Sequence, residues 1–108
     1  MFDLSKYDLA LFESRAGQAA SLMRMLANER RLMILCQLVG GELSVGKLQP
    51  RVGLSQSALS QHLARLRDQG LVATRRESQQ IYYRITDPAA LRIIATLAEL
   101  FCPPENGQ

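Results

Sequence analysis

Two thiols, Cys36 and Cys102, are the side chains of this 108-residue chain with the most distinctive chemistry. A thiol forms reversible bonds to sulfur, so a pair of them can act as a regulatory switch. The sequence contains no Cys-x-x-Cys motif, and a lone pair of cysteines does not make a disulfide scaffold. Considered one at a time, Cys36 is also explained as a small buried core residue and Cys102 as a filler at a helix end.

Basic side chains are concentrated in the middle of the chain. The whole sequence has 13 Lys and Arg against 10 Asp and Glu, whereas residues 44–85 have seven bases against two acids. Most of these bases are arginine, which binds phosphate through a planar fork of donors. A polyanion, most simply nucleic acid, is therefore the indicated partner, and a solvated basic surface is the alternative.

A run of short polar and amide side chains follows Ser55, which is a predicted helix N-cap. Gln56 and Gln61 can bond adenine through their amides, and Ser57 and Ser60 can contact bases or phosphates. An ordinary polar helix face explains the same run, but its position between a glycine turn and an arginine-rich hairpin favours DNA. The predicted DNA-binding residues are Lys47, Ser55, Gln56, Ser57, Ser60, Gln61, His62, Arg65, Arg75, Arg76, Gln79 and Gln80.

His62 is the only histidine, and it lies inside this polar run. It has two interpretations, a contact to a DNA base or phosphate and a partly buried imidazole that bonds within its own motif. One histidine and two cysteines so far apart in the sequence do not form a tetrahedral metal site in one chain, so we expect no metal and no cofactor. A Cys–His hydrolase is excluded because nothing places a thiol near His62 and no oxyanion loop is visible.

Length and composition exclude other classes of protein. With 47% hydrophobic and 21% charged residues the chain can bury a core, and 108 residues are too few for an enzyme with a separate cofactor domain. No apolar run approaches the roughly 18–20 residues of a membrane span. Residues 1–11 lack the basic start and apolar stretch of a signal peptide, so we expect a cytoplasmic protein with no membrane partner.

Hydrophobic periodicity predicts the elements that position these side chains, in a mainly α-helical chain. After Gly70 the period changes to two, so residues 71–74 and 80–85 predict a two-stranded β-hairpin with a polar tip over 75–79. On the second predicted helix, an apolar stripe places Cys36 toward the interior. The five predicted helices span about 4–26, 29–39, 45–51, 56–69 and 88–102.

The order of these elements is that of a winged helix-turn-helix. A short helix, a glycine turn, a serine-capped helix and a basic hairpin follow one another, and the capped helix fits the major groove of DNA. We expect the helix-turn-helix over about 44–69 and the wing over about 71–85, within a single domain that covers residues 1–108.

The predicted final helix is apolar on two sides, which is unusual for a surface helix. A helix of that length in so small a subunit is not expected to bury both sides, so we expect one side to pack on a second copy, together with the helix over 4–26. A fully buried helix in a monomer is the alternative, and the small size of the chain disfavours it. The predicted dimer-interface residues are Leu91, Ile93, Ile94, Leu97, Ala98, Leu100 and Phe101.

Three segments together resemble the ArsR-type bacterial repressors. They are Leu26–Leu32, Glu42–Gly46 and Leu54–Leu63, the last followed by Leu71–Val72, and the resemblance extends over nearly the whole chain. It implies a homodimer with elements in the order α-α-α-α-β-β-α, joined through its first and last helices. It also implies binding to an inverted repeat in double-stranded operator DNA and release by an inducer.

The resemblance also indicates where an inducer would act. Many family members bind metals through a Cys pair at positions that are Ser44 and Gly46 here, and others use Asp and His ligands across the last helix, where Asp87 stands without a histidine. Metal sensing is therefore disfavoured. Cys36 and Cys102 resemble instead the dithiol subgroup typified by SqrR, BigR and HlyU, which implies that persulfides or oxidants bridge the two thiols.

The sequence thus predicts a non-enzymatic repressor that leaves its operator when persulfide or polysulfide inducers bridge Cys36 and Cys102. One alternative is an HlyU-like regulator that responds to general oxidants or competes with other DNA-binding proteins. Another is a dithiol sulfur carrier, against which the missing Cys-x-x-Cys motif and the arginine-rich hairpin argue. A direct disulfide needs Cα atoms about 4.4–6.8 Å apart, and a longer gap would select a polysulfide bridge.

Overall fold

A computed structural model describes residues 3–102 of the chain. After a 3₁₀ turn at Leu4–Lys6, five helices and three strands follow one another. In chain order they are α1 (Leu9–Leu26), α2 (Glu29–Leu38), β1 (Leu43–Ser44), α3 (Val45–Val52), α4 (Gln56–Asp68), β2 (Val72–Glu77), β3 (Gln80–Ile85) and α5 (Pro88–Phe101). The winged helix-turn-helix predicted from the sequence is confirmed, with α3 and α4 as its helices and β2 and β3 as its wing.

The helices begin where short polar side chains can accept hydrogen bonds from the first turn. Asn28, Ser44, Ser55 and Asp87 each cap a helix in this way, and the cap predicted at Ser55 is confirmed. The first helix is shorter than predicted because Asp8 caps it, accepting from the amide of Leu11 at 3.0 Å. The residues before this cap form the separate 3₁₀ turn rather than a continuation of α1.

The sheet has three strands rather than the predicted two. Its order is β1-β3-β2, all antiparallel, and Leu43 pairs with Tyr83 while Ser44 pairs with Tyr82. Two residues are too few to show a period of two, so the pattern could not reveal β1. Strand β2 runs to Glu77 rather than ending at residue 74, β3 has its predicted range of 80–85, and the tip is a two-residue turn in which Ser78 takes a left-handed φ of 57°.

The core lies between α2 and the helix-turn-helix, and α5 closes it. Leucine and isoleucine side chains on α2, α3, α4 and α5 meet there with the first residues of the wing. Burial of this apolar surface is the main stabilising contribution to such a fold. The buried hydrophobic residues are Leu26, Ile34, Leu35, Leu38, Leu48, Val52, Leu59, Leu63, Leu66, Leu71, Val72, Ala90 and Ile94.

Helix α1 reaches the core only near its C-terminal end. Leu26 is buried, whereas Leu9, Leu11 and Phe12 in the first half are about half exposed. The Cα radius of gyration is 15.8 Å, against about 13 Å for a compact domain of this length. The protomer therefore carries an extended apolar surface that its own core does not cover. None of the helices described has the length and apolar character needed to cross a bilayer.

Helix α5 divides its apolar residues between the core and the surface. Ile94 was predicted at the dimer interface, but its side chain has no exposed surface in the protomer, so it belongs to the core with Ala90. The interface prediction is wrong for this residue, because one protomer alone already encloses it. Leu100 and Phe101 remain largely exposed, at 69% and 78%.

Replacement of Ile94 by alanine should destabilise the folded protomer. We expect a loss of about 2–5 kcal/mol in the free energy of unfolding, since the substitution leaves a cavity in a closed core. Urea denaturation at a fixed protein concentration measures it. Glu99→Gln, on the exposed side of the same helix, is the control and should stay within about 0.5 kcal/mol of the unmodified protein. An equally small effect of Ile94→Ala would contradict the core assignment.

Candidate nucleic-acid interface and thiol pair

The angle between α3 and α4 is set by a tight turn at Gly53. This glycine has a φ of 67°, a conformation that side chains with a Cβ disfavour, and its amide closes α3 by donating to the carbonyl of Gln49. The side-chain amide of Gln49 then donates to the carbonyl of Leu54 at 3.3 Å. These two bonds fix the turn that joins α3 to α4.

Helix α4 separates a buried apolar side from an exposed polar side. Leu59, Leu63 and Leu66 are fully buried against the core. The Ser55 hydroxyl accepts from the amide of Ala58 at 3.2 Å and so begins the helix. A protruding helix with a polar outer face has the shape that enters the major groove of DNA. The exposed predicted contacts on or before this helix are Lys47, Ser55, Gln56, Ser57, Ser60, Gln61 and Arg65.

His62 is half-buried beside the outer face of α4. Burial lowers the pKa of its imidazole, and the positive charges of Arg31 and Arg65 lower it further. Arg31 lies on α2, and its Nε donates to the carbonyl of Met25 on α1 at 2.6 Å. The imidazole is therefore neutral at physiological pH, which favours a base contact or an internal hydrogen bond over a phosphate contact. Both of these interpretations of His62 stay predictions.

The predicted contacts on the wing are all exposed to solvent, but one of them already has partners within the protomer. Arg76, Gln79 and Gln80 are exposed near the tip. Arg75 instead forms ion pairs with Glu42 and Glu77, each at 2.7 Å, and its guanidinium carbon lies 4.6 Å from the centre of the Tyr82 ring. Arg75, which the sequence predicted to contact DNA, is therefore already paired with two carboxylates.

Sequence reasoning did not single out Glu42 or Tyr82. Hydrogen bonds from Arg75 lower the pKa of the Glu42 carboxyl, so this acid is ionised over the whole physiological range. Its partner is 33 positions away along the chain. No local pattern links the two residues, and the pair becomes apparent only when β1 is known to join the sheet.

The structure brings the two thiols, which are far apart in the sequence, into each other's neighbourhood. Cys36 is half-buried on α2, Cys102 is exposed at the end of α5, and both are free. Burial raises the pKa of the Cys36 thiol, and the charge of a Cys102 thiolate raises it further. The two cysteines lie on helices that pack against each other, Cys36 on α2 and Cys102 at the end of α5. No group of three or more His, Cys, Asp or Glu within residues 3–102 could hold a metal ion.

A glycine turn between two helices, a capped polar helix and a basic hairpin define a winged-helix DNA-binding protein. Residues 28–74 match the model of the bacterial regulatory protein, arsR family. The chain is 44% identical over 105 residues to the biofilm growth-associated repressor of Agrobacterium fabrum. This match covers 97% of this chain and 90% of that protein. The chain is 48% identical over 95 residues to the transcriptional activator HlyU of Vibrio cholerae, covering 88% of each.

Solved structures agree with these sequence relatives. The repressor BigR from Xylella fastidiosa matches with a TM-score of 0.83 and 41% identity, over 91% of this chain and all of that one. Reduced HlyU from Vibrio cholerae matches with a TM-score of 0.81 and 49% identity, over 85% of this chain and 97% of that one. The chain therefore belongs to the ArsR family and is a DNA-binding transcriptional regulator of the HlyU and BigR type.

Alkylation of the reduced protein should distinguish the two thiols. Because the pKa of Cys36 lies above the ordinary thiol value of 9.0, little of it is thiolate at neutral pH, and only the thiolate reacts. We expect iodoacetamide to modify Cys102 first, and the Cys36 rate to keep rising as the pH passes 9.0. Peptide mass mapping after timed pulses measures both rates. The urea-unfolded protein is the control, and equal rates in the folded protein would contradict this assignment.

Proposed function

We propose that this chain is a homodimeric repressor that binds operator DNA and releases it when persulfides bridge Cys36 and Cys102. The observation that carries the proposal is that Cys36 lies on α2 and Cys102 ends α5, and these two helices pack against each other. One thiol is half-buried and the other is exposed. A reagent can therefore reach Cys102 from solvent, and Cys36 can then close a bridge to it.

DNA recognition is assigned to α4 and the wing, within one domain formed by the whole chain. The polar face of α4 reads base edges through Gln56, Ser57, Ser60 and Gln61, and the helix N-terminus at Ser55 favours a phosphate. Arg76 and the wing tip add backbone contacts. The exposure of these side chains supports the assignment, because each can reach DNA without any rearrangement of the core.

Dimerisation is assigned to α1 and α5. Apolar side chains on the first half of α1 and the end of α5 are exposed in the protomer, and a patch of this kind on a regulatory protein marks an interface. A two-fold dimer places two copies of α4 about 34–36 Å apart, one turn of DNA, and so reads an inverted repeat. The proposed α5 contacts are Leu91, Ile93, Leu97, Ala98, Leu100 and Phe101.

The bridging chemistry starts at the exposed thiol. The Cys102 thiolate attacks the outer sulfur of a persulfide RSSH, takes that sulfur and releases RSH. A second RSSH extends the chain to a Cys102–S–S–SH group. The Cys36 thiolate then attacks the middle sulfur and expels hydrosulfide, leaving a trisulfide bridge. Overall the dithiol and two RSSH give the trisulfide, two RSH and one H₂S, so the thiols are oxidised and one sulfane sulfur is reduced to sulfide.

A bridge ties α2 to α5, and α5 is also assigned to the dimer interface. Tension between these helices would change the separation or tilt of the two α4 helices relative to one turn of DNA. The bridged form then binds the operator more weakly only because its two recognition helices fit the half-sites less well. In this proposal, induction is the release of DNA that follows from this poorer fit.

The relatives support a transcriptional regulator and leave two outputs possible. One close relative is a repressor and another is an activator. One solved relative is HlyU from Vibrio cholerae in its reduced form. A switch that responds to general oxidants is therefore the second candidate function, and it differs from the first in the reagent that closes the bridge.

Persulfide treatment of the reduced protein tests the switch directly. We expect glutathione persulfide to add one or more sulfurs with the loss of two hydrogens, as read by intact mass, and to weaken DNA binding. Cys36→Ser and Cys102→Ser should each bind DNA like the unmodified protein and lose the response. Hydrogen peroxide is the parallel reagent, and loss of two hydrogens with both reagents would establish the general oxidant switch instead. A serine variant that still released DNA would contradict either form of dithiol switch.

Two substitutions should separate base reading from phosphate binding. Gln56→Ala should cost about 1–3 kcal/mol on the preferred sequence and little on unrelated DNA, because a base contact carries sequence information. Arg76→Ala should weaken binding to all sequences and reduce the slope of log affinity against log salt by about 0.9. Fluorescence anisotropy at several salt concentrations measures both effects. A uniform loss in both variants would mean that α4 does not read the sequence.

A further inference from the structure

The outer half of the wing has no hydrophobic core to fix its direction. Val72 at the start of β2 is buried, but residues 75–77 and 80–81 are exposed. A two-stranded hairpin by itself is marginally stable in water. The pairing of β1 with β3 anchors the base of the hairpin and ends at Ser44 and Tyr82, so the outer half needs a further contact to restrain its tilt.

Arg75 makes that contact with its whole guanidinium group. Its Nε donates to both carboxylate oxygens of Glu42 at 3.2 and 3.1 Å, and its Nη2 donates to Oε1 at 2.7 Å. Its Nη1 donates to Glu77 at 2.7 Å. Isolated surface ion pairs contribute little, but a forked arginine–carboxylate pair within a network is the stronger kind. The Tyr82 ring under the guanidinium restricts it further.

Glu42 occupies a position that can transmit this restraint. It directly precedes β1, and Ser44 at the end of β1 is the N-cap of α3. The Glu42–Arg75 pair thus spans the sheet from β1 across β3 to β2. It connects the wing to the residues from which the helix-turn-helix begins.

We infer that Glu42 and Arg75 form a latch that holds the wing in its DNA-binding direction, so that Arg75 is a positioning residue and not a phosphate contact. The inference rests on the proposed DNA-binding surface and is independent of the thiol switch. Two carboxylates surround the charge of Arg75, which leaves it little attraction for phosphate. Arg76 lies next to Arg75 in the strand, so it points to the opposite face and keeps the phosphate role.

Hydrogen exchange on the free, reduced protein tests the latch without DNA. Glu42→Gln and Arg75→Gln should each speed exchange of wing amides, and the double variant should be no faster than either single one. Amides of α4 should exchange as in the unmodified protein. Glu99→Gln removes the same charge from α5 and is the matched control. Unchanged exchange in both single variants would overturn the latch.

DNA binding then tests its consequence, with a duplex selected from a random pool by the unmodified reduced protein. Glu42→Gln and Arg75→Gln should each weaken binding roughly three- to tenfold with an unchanged salt slope. For Glu42→Gln, the direction of the change in affinity is diagnostic. Loss of a negative charge near DNA by itself tightens binding, whereas loss of the latch weakens it. The Glu99→Gln control measures the general effect of that charge.

The opposite result has a distinct pattern. If Arg75 contacts phosphate, Glu42→Gln releases it and tightens binding beyond the control, and Arg75→Gln flattens the salt slope by about 0.9. That pair of results would overturn the latch. An unmodified chain that selected no duplex would instead overturn the proposed DNA-binding surface, and the exchange experiment would still decide whether the latch exists.

Discussion

The burial of one face of α2 is the constraint on which the rest of this structure depends. Ile34, Leu35 and Leu38 are enclosed on that face, and α1, α3, α5 and β3 all pack against the helix. Protein interiors are close-packed, so α2 cannot shift without moving its neighbours. Cys36 lies on the same helix, at a position that is half-buried. A bond made at its sulfur would therefore act on the element to which most of the others are attached.

The surface assigned to DNA lies on the side of α4 that faces away from that core. The leucines of α4 are committed to the interior, which forces the glutamines and serines between them to the outside. The wing divides its two neighbouring arginines in a similar way. Arg75 is engaged by carboxylates on one face of the hairpin, while Arg76 faces the other side. Charge counted along the sequence therefore overstates the positive charge that the wing offers to a polyanion.

Local signals predicted most of the fold well. The caps at Asn28, Ser44, Ser55 and Asp87 depend on side chains within three residues of the helix start, and such contacts can be read from the sequence. The errors occurred where the deciding contact is distant. Strand β1 exists because β3 lies beside it, and Ile94 is buried because α5 packs on α2. Neither partner is visible in a window of local sequence.

The class of the protein could be predicted without a structure, since helix periods, caps, the glycine turn and the hairpin are local properties that together specify a winged helix-turn-helix. The thiols and the basic residues were also identified as candidates from their positions in the sequence. Which of these candidates meet depends on the packing of the elements against one another. Arg75 forms an ion pair with Glu42, and Cys36 lies near Cys102, although the residues of each pair are far apart along the chain. Such pairs depend on how the elements pack in three dimensions, because chain separation carries no information about distance once the core has formed.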